Sequence, residues 1–313
     1  MTLQKTISSQ ALISMAALAT VWGLSFVSIR IALNEVGPLT SVAHRTFWAM
    51  LVLWGVVLAM RLPVPKDLRV WGAFFVMGML NNVIPFSLMA WGQLNIESGL
   101  TSILNASTAI FGVLVAAFFF NDERLTVSKV VGVVLGFSGV ATAVGLESLR
   151  DFDIRSLAQI AVIGGAVSYA LASAWARRAL GHLPLQVAAA GMLTGSSLVM
   201  VPLAIWVEGP ITLALQTDTL LAISYYAIVA TAGAYLLYYR ILAMAGSGNL
   251  MLVTLMIAPV AILAGALILG EKLPPNAYAG LALLALGLAV LDGRLLQRLR
   301  RSSRQIDPEQ PQR

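Results

Sequence analysis

The chain has 313 residues, 59% of them apolar and only 11% charged. A soluble domain of this length carries about 25% charged residues, so the apolar excess must face something other than water. The absence of cysteine excludes disulfides and thiolate metal sites, and the formal charge of +6 lies in short gaps between apolar runs, as a topology signal at an anionic membrane does, rather than in a nucleic-acid-binding patch.

The first apolar run follows Lys5 and begins at Ala11; with Ala17-Leu18-Ala19 it could pass for a cleavable signal peptide. It continues through Trp22 to Ile31, however, long enough to span a bilayer, so a retained first helix is expected. Nine further apolar segments follow near 40–60, 70–91, 98–120, 127–146, 156–176, 185–206, 218–239, 248–269 and 276–292. Each has about the length a helix needs to cross, and connections as short as Asn121–Thr126 and Gly270–Pro274 leave no room for a soluble domain. Residues 294–313 read as a basic, polar tail. With the N-terminus inside, fifteen of the twenty Lys and Arg residues fall on the inner side, which predicts that both termini are cytoplasmic.

An ungapped repeat appears at an offset of 148 residues, pairing Glu123 with Glu271, Gly132 with Gly280, Gly139 with Gly287 and Gly145 with Gly293. The chain therefore divides into 1–147 and 148–293, each of five helices. An odd number makes the second copy enter the membrane upside down, a recurring plan of secondary transporters because it supplies two interconvertible arrangements. The predicted fold class is all-α integral membrane, with ten transmembrane helices as two inverted five-helix repeats.

Several motifs fall in a familiar order. Trp22-Gly23, Phe26, Arg30, Pro38 and Arg45 open the first half, and Asp122-Glu123-Arg124-Leu125-Thr126 leads into Gly132 and Gly139. Gly270-Glu271-Lys272-Leu273-Pro274 with Gly280 and Gly287 repeats that junction. This pattern resembles the drug/metabolite transporter superfamily, in its EamA-type ten-helix branch, and is most similar to bacterial amino-acid and metabolite exporters. The resemblance implies an exporter in the bacterial inner membrane. Two departures stand out: Phe111 replaces a proline usual in the fourth helix, while Pro259 is present in the ninth, and the sixth helix has Ser168-Tyr169 in place of Trp-Gly.

The interior residues indicate the chemistry. No acidic residue falls near the middle of a segment, where it would mark a proton or cation site. This disfavours a central proton relay and leaves facilitated diffusion, or coupling through a peripheral group such as His44 or Glu97. Arg45 lies near the outer end of the second segment, where snorkelling to lipid phosphate is expected, so the centre reads as uncharged. Asn81 and Asn82 fall halfway along the third segment, one turn before Pro85 and Phe86, and the repeat partner of Pro85 is Gly233. Paired Pro and Gly interruptions point to a transporter's binding site; the plainer alternative for the two asparagines is packing between helices.

Trp22, Ser25 and Phe26 share a face of the first helix. Asn105, Thr108, Tyr169, Tyr235, Tyr239 and Met256 could complete a lining, with Pro85, Gly233, Pro259 and His44 as hinge or gating residues. Trp71, Trp91, Trp206, Tyr225 and Tyr226, near segment ends, read as an interfacial belt. Gly132, Gly136 and Gly139 form a close-packing face for either an internal contact or a dimer, which leaves monomer and homodimer open. No nucleophile, paired acids or metal cluster lies at membrane depth, which disfavours an enzyme and implies no cofactor. The expected function is export of small amphipathic metabolites, amino acids with aromatic or hydrophobic side chains favoured; the alternative is a multidrug or toxic organic-cation exporter.

Overall fold

A computed structural model of the chain describes residues 9–120, 126–145, 153–245 and 247–292. Glu123 with the rest of its junction, and the 294–313 tail, lie outside the described residues, as does the side chain of Tyr239.

The described residues form helices joined by short turns. In chain order they are α1 (Ser9–Ala32), α2 (Pro38–Ala59), α3 (Leu68–Gly92), α4 (Ser98–Phe119), α5 (Val127–Val144), α6 (Ile154–Leu180), α7 (Leu185–Glu208), α8 (217–245), α9 (Ser247–Leu269) and α10 (Pro275–Asp292). Eight are long and apolar enough to cross a membrane, and the apolar stretches Met256–Leu269 and Pro275–Leu291 are shorter. Local chemistry sets their starts. Pro38 opens α2, where its missing N–H costs nothing. The carboxylates of Asp67 and Asp153 accept backbone N–H groups at the starts of α3 and α6, and Thr126 does the same for α5.

Helices distant in sequence pack together: α5 on α10, α2 on α7, α1 on α9, α4 on α6, α3 on α6 and α7, and α8 on α1 and α2. Outward-facing Leu58, Leu198, Leu267 and Trp206 are 69–83% exposed, the surface a lipid-facing bundle presents.

Two helices depart from α geometry in their middles. In α3, Met79–Val83 is a π-helix immediately before Pro85. In α8 the π stretch is Tyr225–Gly233, which ends on the repeat partner of Pro85. Proline removes one ladder hydrogen bond, and a π turn is one way to absorb the resulting mismatch. A third break needs no proline. Helix α4 is interrupted at Ala106–Ser107, where the hydroxyls of Ser107 and Thr108 donate to the carbonyls of Leu104 and Asn105 at 2.6 and 2.7 Å. These side chains compete with the backbone for its acceptors. The break that a proline at position 111 would make is thus built by a polar run just before Phe111.

The glycine face of α5 serves an internal contact. A Cβ at Gly139 would lie 2.5 Å from the Leu284 nitrogen and 2.8 Å from the Gly280 oxygen, and one at Gly287 would lie 2.6 Å from the Gly136 nitrogen. Helices α5 and α10 therefore meet backbone to backbone. Replacing Gly139 with valine should destabilise the protein by about 1–3 kcal/mol, the cost of overpacking a closed contact. Thermal unfolding in detergent would show it, whereas Gly112→Ala, where an added Cβ meets nothing within 4 Å, should leave the midpoint in place.

Four carboxylates tie helices together at one end of the bundle. Glu208, at the end of α7, accepts from the amides of Leu39 and Thr40 at 2.9 and 2.8 Å. Glu271, just past α9, accepts from the Ser98 amide at 2.9 Å and the Ser98 hydroxyl at 2.7 Å. Glu35, after α1, accepts from the Gln216 amide at 3.0 Å. Glu97 pairs with Arg155 at 2.8 Å. Three of the four thus place negative charge on the N-terminus of another helix, where the helix dipole and free N–H groups favour it. A cavity of about 300 Å³ at this end is lined by Arg30, Asn34, Asn95, Glu97 and Glu271.

Candidate functional site

The middle of the bundle holds a connected polar column between α2, α3, α7 and α8. Asn82 is fully buried and donates through Nδ2 to the Ser196 hydroxyl at 2.8 Å. Its Oδ1 accepts from Asn81 Nδ2 at 3.3 Å and from the Tyr235 hydroxyl at 3.4 Å. Asn81 also donates to the Tyr235 oxygen at 3.0 Å. Ser196 in turn donates to the Met192 carbonyl at 2.8 Å and the Gly78 carbonyl at 3.2 Å. The π stretch of α3 carries both asparagines and so aims them at α7 and α8 together.

Above this network lies Arg45. Its guanidinium carbon is 3.8 Å from the centroid of the Phe86 ring, and its Nε donates to the Thr231 hydroxyl at 2.9 Å. Thr231 donates to the Tyr226 carbonyl five residues back, an acceptor left by the π stretch of α8. The Tyr226 ring is fully buried, and its hydroxyl and that of Ser41 lie 3.1 Å apart. Tyr169 stands edge-on to Phe86, the ring centroids 6.4 Å apart.

Two expectations are corrected here. Arg45 does not reach outward to lipid: it stacks on Phe86 inside the bundle, so the interior is not uncharged. Tyr226 is no interfacial residue either, since it belongs to the packed interior. Trp206, at 83% exposure, does lie on the surface. The signal for Arg45 was present in its position, seven residues into α2 and roughly 10 Å from the helix end at 1.5 Å per residue.

The other candidate residues fall in three places. Asn81, Asn82, Phe86, Tyr169 and Tyr235 join the column. Trp22, Phe26 and Met256 form a separate cluster among α1, α8 and α9. There the Trp22 indole donates to the Ala230 carbonyl at 3.1 Å and its ring lies 6.0 Å from that of Tyr238. Ser25 turns onto its own helix, donating to the Trp22 carbonyl at 2.7 Å. Asn105 and Thr108 lie apart, at the break in α4, where the Asn105 Oδ1 is buried and accepts no hydrogen bond from the described residues.

Among the hinge candidates, Pro85 and Gly233 bound the two π stretches, and Pro259 lies within α9 with its ring exposed. His44 is buried on α2, with its Nδ1 accepting from the Trp48 indole at 3.2 Å. No group of three or more metal-ligating side chains occurs among the described residues.

Relatives agree with this picture of a polytopic bundle. The chain is 26% identical to an uncharacterized transporter of Archaeoglobus fulgidus, over 89% of this chain and 97% of the relative. It is 24% identical to a probable amino-acid metabolite efflux pump of Escherichia coli, over 86% and 90% of the two chains. It is 25% identical to a probable terminal-alkyne amino-acid exporter of Streptantibioticus cattleyicolor, over 94% and 97%. A solved crystal structure shares the fold with a TM-score of 0.64 at 19% identity, covering 91% of this chain and 98% of its own. The model of the EamA-like transporter family matches residues 9–145 and again 156–291, so this multi-pass membrane protein belongs to the EamA-like transporter family.

Proposed function

We propose that the protein is a secondary transporter that exports small amphipathic metabolites, amino acids with aromatic or hydrophobic side chains foremost, by alternating access. The polar column carries this reading. It joins side chains from both halves of the chain at the depth of the two π stretches, inside a shell that is otherwise apolar. Interruptions at the centre of a bundle, lined by few polar and several aromatic groups, suit a site for a small amphipathic molecule. The two relatives named for amino-acid efflux and export support the substrate class.

In this reading the ten helices span a bacterial inner membrane as two inverted halves with both termini inside. The helix pairings support it: exchanging each helix for its repeat partner turns the α1–α9 contact into α6–α4 and the α3–α6 contact into α8–α1, and returns α2–α7 and α5–α10 to themselves. A rocking of one half against the other would then expose the column to each side in turn. The organic-cation alternative fares worse, because the column holds a guanidinium and no carboxylate among its described residues.

Uptake into proteoliposomes of the purified protein tests this, with labelled phenylalanine, leucine, glutamate and tetraphenylphosphonium. Saturable flux of phenylalanine or leucine is expected. Flux of the phosphonium alone would transfer the assignment to drug export, and absence of any flux would refute the substrate class.

A further inference from the structure

Arg45 is a permanent cation in the interior of an apolar bundle, and its surroundings answer little of its charge. A guanidinium offers five N–H donors in a planar fork. Among the described residues only Nε has a hydrogen-bond acceptor, the Thr231 hydroxyl. One face is covered by the Phe86 ring, while the terminal nitrogens donate to no described residue and the side chain remains partly accessible. Among the described carboxylates, Asp218 lies exposed at the start of α8, and six others are engaged away from Arg45. Glu35, Glu208 and Glu271 hold helix N-termini, Glu97 holds Arg155, and Asp67 and Asp153 cap their own helices. An intramembrane cation without a counter-ion is costly, and a fork whose two terminal nitrogens lack a described acceptor matches the two oxygens of a carboxylate.

We propose that the Arg45 guanidinium, positioned by Phe86 and Thr231, binds the carboxylate of the transported molecule. The inference rests on the transport reading above and adds which group of the substrate is recognised and by what. Phe86 and Thr231 act as positioning residues: the ring fixes the plane of the fork, and the hydroxyl holds Nε, leaving the two terminal nitrogens for the ligand. A single guanidinium balances a single negative charge, which favours a monocarboxylate over a phosphate dianion. Tyr169 stands edge-on to the same Phe86 ring, and its hydroxyl, which donates to no described residue, can supply a further donor to the bound anion. Binding of the anion removes the exposed charge from the interior, so the loaded protein rocks more readily than the empty one.

The test separates carboxylate from amine without altering the protein. Proteoliposomes of the unmodified chain take up labelled phenylalanine while 3-phenylpropionate, phenylalaninamide or 2-phenylethylamine competes. The proposal expects 3-phenylpropionate to inhibit and the two compounds lacking a carboxylate to do so about ten- to hundredfold more weakly, the difference a charge-assisted pair makes. Equal inhibition by all three, with phenylalanine uptake intact, overturns the Arg45 assignment and leaves the transport reading standing. Failure of any amino acid to move overturns both. Arg45→Lys gives the second line of evidence. It keeps the charge and loses the fork, so it should raise the concentration of 3-phenylpropionate needed for half inhibition while 2-phenylethylamine keeps its value. An unchanged 3-phenylpropionate value in Arg45→Lys overturns the assignment.

Discussion

Replacing Asn82 with alanine should lower stability by about 2 kcal/mol and reduce flux at least about tenfold, the largest paired effect expected for any single site in the column. Asn82 is fully buried, and it joins three elements: it donates to Ser196 of α7 and accepts from Asn81 of α3 and Tyr235 of α8. Alanine removes the Oδ1 acceptor shared by the half-buried Asn81 amide and Tyr235 hydroxyl, and the donor that the buried Ser196 hydroxyl accepts. Each hydrogen bond lost costs about 0.5–1.5 kcal/mol, reduced in a bilayer because the unfolded reference also finds partners. The cavity left by the missing amide adds to that cost. Intrinsic tryptophan fluorescence during thermal unfolding measures the first effect, and proteoliposome uptake measures the second. Ser87→Ala is the comparison. That hydroxyl lies on the same helix and, among the described residues, donates only to the Met200 sulfur at 3.7 Å, so its loss should change stability by less than about 0.5 kcal/mol. If Asn82→Ala matches Ser87→Ala in both measurements, the column is not a functional unit.

Opening one end of the bundle should follow from Glu208→Gln. The carboxylate spans from α7 to the N-terminus of α2, and a Cβ on Gly37 would occupy the place its oxygens take. Glycine at that position is therefore what lets the carboxylate approach the amides of Leu39 and Thr40. Glutamine retains one acceptor but loses the charge that the helix terminus attracts, a difference of about 1–2 kcal/mol in a partly buried setting. If the contact is present only in the arrangement seen here, that difference shifts the balance between arrangements by about 5- to 30-fold. The chain has no cysteine, so Ser41→Cys, one turn inside α2 and at a position 2% exposed, reports access with no background. Labelling of the introduced thiol by a membrane-impermeant reagent should accelerate by that factor when Glu208→Gln is added. An unchanged rate would mean that this contact does not hold the end closed.

Much of the fold was legible because apolar length, turn chemistry and repeats are local properties. The predicted segments lie within a few residues of the helices, and the Pro85/Gly233 pairing marks the two π stretches because proline and glycine alter the backbone ladder wherever they occur. The transporter family followed from the same motifs, which the family match bears out, and with it the expectation of a carrier rather than an enzyme.

What escaped was set by rotation about a helix axis. Arg45 and Tyr226 were placed by counting from segment ends, which gives depth but not direction. Whether a residue a third of the way into a helix faces lipid or interior depends on which neighbours that helix packs against. Here α2 packs on α7 and α8, and α3 supplies Phe86, so Arg45 turns inward. The break in α4 escaped for a different reason. Serine and threonine weaken a helix only when their hydroxyls turn back onto it, a rotamer choice that composition does not reveal. The reach of Glu208 to Leu39 across 169 positions is invisible to any local rule.

The seam between α5 and α10 limits which sequences this protein can drift into. Where a leucine meets an alanine, enlargement on one side can be relieved by trimming the other. Where Gly139 faces the Gly280 oxygen and the Leu284 nitrogen, and Gly287 faces Gly136, there is no side chain left to trim. A suppressor of Gly139→Ala is therefore to be sought away from the residues it touches, at positions such as Ile110 and Leu291 that set how far apart the two rods lie. Genetic compensation at this seam would act by moving a whole helix, and a search confined to facing pairs would return nothing.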